Sequence, residues 1–265
     1  MNAASRKFCS VPDNSLIVLD RVSKRFYFDK NIRESLRNRF IRAITRVSRD
    51  PHTKDYTIAD VSFRIGRAES IAVIGDNGSG KSTLIRLIAN IYAPSEGCIS
   101  TRGRIATVLE LGAGFHKELT GADNLAMYAA ALGLTRIELL ERIDAMIQFA
   151  DIGDVLHKPI KHYSTGMQAR LALAVALCGI FDAVLLDEAM SVGDYSFRVK
   201  VENHVRNYVS NGGTIVLVSH NLELLQQTCS RALWLDDGKI VIDGPVDKVV
   251  NAYQSSKGNK LQQTR

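Results

Sequence analysis

The feature that most constrains this chain is Gly75-Asp76-Asn77-Gly78-Ser79-Gly80-Lys81-Ser82, which fits G-x-x-x-x-G-K-[ST] and sits between two contrasting segments. Before it runs Ser70 to Ile74 (SIAVI), a short apolar strand pattern, and after it Ser82 to Ile91 (STLIRLIANI) reads as a helix. In the order strand, loop, helix, the glycines let backbone N–H groups turn inward around phosphate oxygens. Gly75, Asn77, Gly78 and Gly80 would supply that cradle, and the helix start points its positive end at the same place. Lys81 would add a point charge at the β- and γ-phosphates and Ser82 a hydroxyl ligand for Mg²⁺. The bland alternative is a glycine-rich turn with no nucleotide.

A phosphate loop that drives hydrolysis needs a second, acidic site. The run Ala183-Val184-Leu185-Leu186-Asp187-Glu188 supplies one where a buried strand ends. Asp187 would hold Mg²⁺ and Glu188 would polarise water; taken alone, either carboxylate could equally be a helix cap or a solvated turn residue. Further strand patterns lie at Leu16 to Val22, Tyr56 to Ile65, Thr214 to Val218, Ala232 to Leu235 and Lys239 to Ile242. The last two are joined by an Asp236-Asp237-Gly238 hairpin turn. Helical patterns fill Thr120 to Ile147 and start again near Met167, and a short one follows Val246 before a polar tail. The alternation is that of an α/β protein.

Composition narrows the class. A hydrophobic share of 46% with 19 Gly and 5 Pro excludes collagen-like and disordered chains. The longest apolar stretch, Leu171 to Phe181, is 11 residues, short of the ~20 that span a bilayer as a helix. The amino terminus has no apolar signal core, which points to the cytoplasm. Four scattered cysteines fit reduced thiols and show no zinc-site spacing.

Charge is concentrated. Residues 21–54 carry eleven lysines and arginines against Asp29, Glu34 and Asp50, a net +8 in a chain of net +6. Within them Ile32, Leu36, Phe40, Ile44 and Val47 recur at helical spacing, so residues 31–50 read as a basic amphipathic helix. It is either a surface helix with solvated arginines or one lying on a membrane or a membrane partner. A near-neutral body with one basic insert argues against nucleic acid as the partner.

Tyr163-Ser164-Thr165-Gly166-Met167-Gln168 precedes a helix and lies 23 residues before Asp187 (187 − 164). It resembles the signature motif of ABC ATPases, in the form found in exporters of capsular polysaccharide, O-antigen and teichoic acid. The resemblance runs from about Leu16 to Tyr253 and implies the P-loop ABC ATPase fold. That fold has a mostly parallel core sheet, an antiparallel β subdomain and an inserted helical subdomain at about 110–168, all within one nucleotide-binding domain. It implies ATP and Mg²⁺ as ligands, with the phosphate loop extending through Thr83. Ser164 and Gly166 would meet ATP held by a second copy of the chain. Asp194, in Ser191-Val192-Gly193-Asp194, matches the D-loop residue, and His220 matches the switch histidine at the γ-phosphate. Phe26 sits where the family places an aromatic against adenine, with Tyr27 and Phe28 as alternatives. Glu110-Leu111-Gly112-Ala113-Gly114-Phe115-His116 resembles the loop that faces the permease, and Glu110 is the polar candidate in place of the usual glutamine that senses Mg²⁺ and the attacking water, a third candidate Mg²⁺ ligand beside Ser82 and Asp187.

The resemblance therefore implies an ATP-hydrolysing exporter subunit for a lipid-linked polysaccharide, at the cytoplasmic face of the membrane. The partners it implies are a separate polytopic permease and a second ATPase chain. Only 45 residues follow His220 (265 − 220), too few for the ~100-residue β-sandwich that some O-antigen exporters append, which implies the short form. The alternatives are an exporter subunit for a drug or lipid, or a non-transport ABC ATPase.

Overall fold

The computed structural model describes residues 14–26, 56–108, 114–187 and 193–262. Their strands form two sheets. The first is antiparallel, with β1 (Ser15–Arg25) between β2 (Tyr56–Gly66) and β4 (Glu96–Thr101). The second has six strands in the order β5-β6-β7-β3-β8-β9. Its members are β3 (Ser70–Ile74), β5 (Ile105–Val108), β6 (Ala183–Asp187), β7 (Ile215–Val218), β8 (Arg231–Asp236) and β9 (Lys239–Pro245). All its neighbours run parallel except β8 and β9, which form the expected hairpin. Asp237 and Gly238 both have positive φ (45° and 75°), the pairing that a tight two-residue hairpin turn requires.

The continuous apolar runs of β3, β6 and β7 are explained by cover on both faces of the sheet. Ile71, Val73, Leu185 and Val216 face one core with β1, β2 and α1 (Lys81–Ile88). Ala72, Ile74, Leu186 and Leu217 face the other, with the remaining helices. These are α2 (Gly121–Ala131), α3 (Arg136–Ala150), α4 (Thr165–Cys178), α5 (Tyr195–Ser210), α6 (Leu222–Thr228) and α7 (Val246–Gln262). α2 and α3 begin at reciprocal caps, Thr120 with Asp123 and Thr135 with Glu138, so their starts are encoded locally. α4 is apolar all round and buried from Ala169 to Leu177 except at Arg170, which makes it a fixed axis through the helical layer.

Two expectations change. α7 is not short: buried Val246, Val249, Val250 and Tyr253 anchor it, and it continues to Gln262. β4, β5, α5 and α6 are further elements beyond those the hydropathy pattern marks. Cys178 and Cys229 are free thiols, as expected of them. The predicted basic helix at 31–50 lies outside the described residues.

Candidate nucleotide site

The phosphate loop leaves the carboxyl end of β3 and folds back on itself. Ser79 N–H donates to the Asp76 carbonyl at 3.1 Å, and α1 opens with Leu84 N–H on the Gly80 carbonyl at 2.8 Å. Gly80 caps the helix at φ 105°, where a Cβ would lie 2.7 Å from the Thr57 carbonyl oxygen, so only glycine fits. The β8–β9 turn braces the loop from the other side. Gly238 N–H donates to the Ser79 carbonyl at 3.0 Å while Gly238 O accepts from Ala59 N–H at 2.9 Å.

Lys81 is only 8% exposed, and its Nζ donates to the carbonyls of Gly75 and Asp76, both at 2.9 Å. The ammonium is thus folded down inside the loop. Ser79 Oγ is buried with no hydrogen-bond partner among the described residues, and a Cβ on Gly78 would meet nothing within 4 Å. A buried cation, an orphaned hydroxyl and open space at Gly78 form a polar cradle that fits a phosphate chain. Ser82 and Thr83 are half-buried at the helix start. Ser82 and Asp187 are an all-oxygen donor pair of the kind Mg²⁺ takes.

Sheet register brings the acidic end to the same edge. Val73 pairs with Val218, and Val218 pairs with Asp187, so Asp187 lies two strands from β3, about 10 Å across the sheet. Because β3, β7 and β6 are parallel, the phosphate loop, Ser219-His220 and Asp187 all emerge at one carboxyl edge, where open α/β sheets bind ligands. His220 is exposed there, just before α6, which Asn221 caps through Leu224 N–H at 3.1 Å. Glu188, Glu110, Tyr27, Phe28, Ser191 and Val192 lie outside the described residues. Phe26 directly follows β1 and is 36% exposed, edge-on to Tyr92 at 5.2 Å between centroids, with Lys24 Nζ 5.1 Å from its ring.

Ser164 caps α4, its Oγ accepting from Met167 N–H at 3.2 Å. The added Cβ of an alanine at 166 would meet only Ser164 Oγ, at 3.7 Å, so the first turn of α4 is open to a ligand. The surrounding cleft, about 590 Å³, is lined by Asp151, Ser164, Gly166, Arg170, Gly193 and Asp194 among others. No residue of the phosphate loop lines it. The expected site residues therefore fall into two groups, one at Lys81 and one at Ser164.

Several residues outside the motifs hold these groups in place. Arg170 reaches Asp194 Oδ2 at 2.5 Å, and Asp194 also accepts from Ser196 Oγ at 2.7 Å and Phe197 N–H at 2.9 Å. Those bonds, then the guanidinium, hold the Asp194 carboxyl below its ordinary range. Asn124 is fully buried: its amide donates to the carbonyls of His116, Leu119 and Thr120 and its Oδ1 accepts from His116 N–H. It fixes the approach to α2. Tyr163 donates to the Val155 carbonyl at 2.6 Å and its ring packs where Gly121 has no side chain. Neither Arg170 nor Asn124 carries a signal in hydropathy.

A glycine-rich loop at a parallel sheet edge, with a buried lysine inside and an acidic strand end beside it, defines a nucleotide-binding P-loop protein. Residues 58–191 match the family model described as ABC transporter, and the chain belongs to that family. It is 38% identical over 203 residues to the O-antigen export system ATP-binding protein RfbB of Klebsiella pneumoniae, spanning 77% of this chain and 82% of that protein. It is 32% identical over 241 residues to the teichoic acids export ATP-binding protein TagH of Shouchella clausii, spanning 91% and 66%. Among solved structures, the ATP binding subunit of an ABC transporter superposes with a TM-score of 0.71 at 22% identity, covering 91% of this chain and 94% of that one. A dimeric ATP-binding cassette in a post-hydrolysis state with ADP and Pi gives 0.68 at 19% identity, covering 87% and 98%. At these identities the structural likeness is one of fold, and that fold is the ABC ATPase cassette.

Proposed function

We propose that this chain is the ATP-binding and ATP-hydrolysing subunit of an ABC exporter that drives a lipid-linked polysaccharide across the cytoplasmic membrane. The observation that carries the proposal is its 32–38% identity to O-antigen and teichoic acid export ATP-binding proteins over 74–91% of its length, joined to an intact phosphate loop.

In this reading the loop amides of Gly75, Asn77, Gly78 and Gly80 and the start of α1 at Ser82-Thr83 bind the triphosphate. Lys81 shifts from the carbonyls of Gly75 and Asp76 to the β- and γ-oxygens. Ser82 and Asp187 would hold Mg²⁺, which supplies charge neutralisation for phosphoryl transfer. Glu188 accepts a proton from the attacking water, His220 contacts the γ-phosphate, Phe26 packs on adenine, and Glu110 faces the permease side. Ser164 and Gly166 bind the γ-phosphate of ATP held by a second copy, with Asp194 signalling between the two. The absence of phosphate-loop residues from the Ser164 cleft supports a site completed by a partner chain. Closure of two chains on ATP and their release after hydrolysis would then drive the permease.

Among the described residues no helix is long and apolar enough to cross a membrane, which agrees with a peripheral subunit on the cytoplasmic face and a separate polytopic permease. The test is to purify the Glu188→Gln protein with ATP from detergent-solubilised membranes of its own host and identify its companions by mass spectrometry. A polytopic permease encoded beside glycan-synthesis genes is expected. Recovery solely from the soluble fraction, with ribosomal or nucleic-acid partners, would sink the exporter reading.

A further inference from the structure

Asp76 is the one acidic residue of the loop Gly75–Ser82. A carboxylate there opposes the charge of any phosphate chain the loop binds, and proximity to Lys81 compounds the matter, since the Asp76 carbonyl holds the ammonium at 2.9 Å. The side chain is tied instead to α7, 177 residues away in sequence. Tyr253 Oη donates to Asp76 Oδ1 at 2.8 Å, and Lys257 Nζ lies 3.1 Å from the same oxygen.

Those two donors stand four apart on one face of α7, the spacing that places side chains together. Tyr253 is 7% exposed, edge-on to Trp234 at 5.7 Å and flanked by fully buried Val249 and Val250. Lys257 Nζ sits 4.7 Å from the centre of the Tyr253 ring. Tyr253 thus comes from a stretch of α7 anchored in the core, while Lys257 reaches Asp76 from the exposed side of the same helix.

We infer that Tyr253 and Lys257 are positioning residues for nucleotide binding: they neutralise Asp76 and hold it off the phosphate path, so that α7 sets the loop's affinity. The inference rests on the proposed binding of ATP by this loop. Tyr253 first, and then Asp76, hold the Lys257 ammonium above its ordinary range, consistent with a charge engaged on both. Without Lys257 the Asp76 carboxylate would face the triphosphate with one donor fewer, and affinity would fall by an amount typical of an exposed charge pair.

The test titrates the full chain with a fluorescent N-methylanthraniloyl derivative of ATP and Mg²⁺ at low salt. Lys257→Met should weaken binding about three- to fivefold and Tyr253→Phe about twofold. High salt should shrink the Lys257→Met effect. In an Asp76→Asn background, Lys257→Met should have no further effect, a rescue that general loosening of α7 could not produce. Unchanged binding by Lys257→Met, or equal weakening in both backgrounds, would overturn the inference while leaving ATP binding intact. If the wild-type chain fails to bind the analogue, the nucleotide reading falls and this inference with it.

Discussion

Arg170, on the helix that Ser164 caps, lies 2.5 Å from Asp194, the residue that caps α5. The Arg170 side chain is 15% exposed, and its guanidinium lies 4.6 Å from the centre of the Phe197 ring and also donates to the Asp151 carbonyl at 3.2 Å. One side chain thus ties the start of α4 to the start of α5. Arg170→Met should keep the fold but free Asp194. ATP hydrolysis should drop about three- to tenfold with little change in nucleotide affinity, since Lys81 lies in the other group. A loss confined to nucleotide affinity would argue against the link.

Gly121 is set by Tyr163. A Cβ at 121 would run into Tyr163 Oη and come within 3.0 Å of the Leu156 carbonyl. Gly121→Ala should destabilise by about 1–3 kcal/mol through overpacking, measured by denaturant unfolding. Adding Tyr163→Phe should recover part of that loss. A Gly121→Ala protein as stable as wild type would show that the ring moves aside freely.

Acid should loosen the attachment of α3. Arg104 holds Glu138 with two 2.7 Å bonds, and with the Thr135 amide and hydroxyl it brings the Glu138 carboxyl down to about 2 from 4.5. A depressed carboxyl pKa contributes stability that is complete above the unfolded value. It is lost as pH falls from 4.5 toward about 2. The melting temperature of wild type should therefore fall more steeply through that window than that of Glu138→Gln. Parallel pH profiles would remove Glu138 from the account.

Much of this arrangement is written locally, and some of it is not. The runs SIAVI and AVLLD read as buried strands because both sheet faces are covered, and the caps Thr120, Thr135 and Ser164 mark helix starts within three residues. β4 escapes such reading: Ser100 is its one buried residue, and pairing with β1 makes it a strand. The extent of α7 escapes for a different reason, since its contacts with Asp76 span 177 residues. The phosphate loop, Asp187, Ser164 and Asp194 stand out in the sequence as motifs, because the proposed nucleotide chemistry would need fixed residue types at fixed spacing. Arg170, Tyr253 and Lys257 do not, because nothing in the neighbouring sequence distinguishes them from solvated helix residues.

Two-chain assembly should depend on both groups of the site. The Glu188→Gln protein is expected to sediment as a dimer with ATP and as a monomer without it. Lys81→Ala should weaken ATP binding about 10- to 100-fold, as loss of charge-assisted bonds does, and stay monomeric. A Glu188→Gln protein that remains monomeric at saturating ATP would exclude the shared site.

The most direct test of the account is to delete the gene in its own host and measure polysaccharide on the cell surface and lipid-linked polysaccharide inside. Surface polysaccharide should disappear and the lipid-linked form accumulate on the cytoplasmic side. The wild-type chain should restore export, and Lys81→Ala and Glu188→Gln should not. Undiminished surface polysaccharide in the deletion strain, or full restoration by Lys81→Ala, would contradict an ATP-driven role in its export.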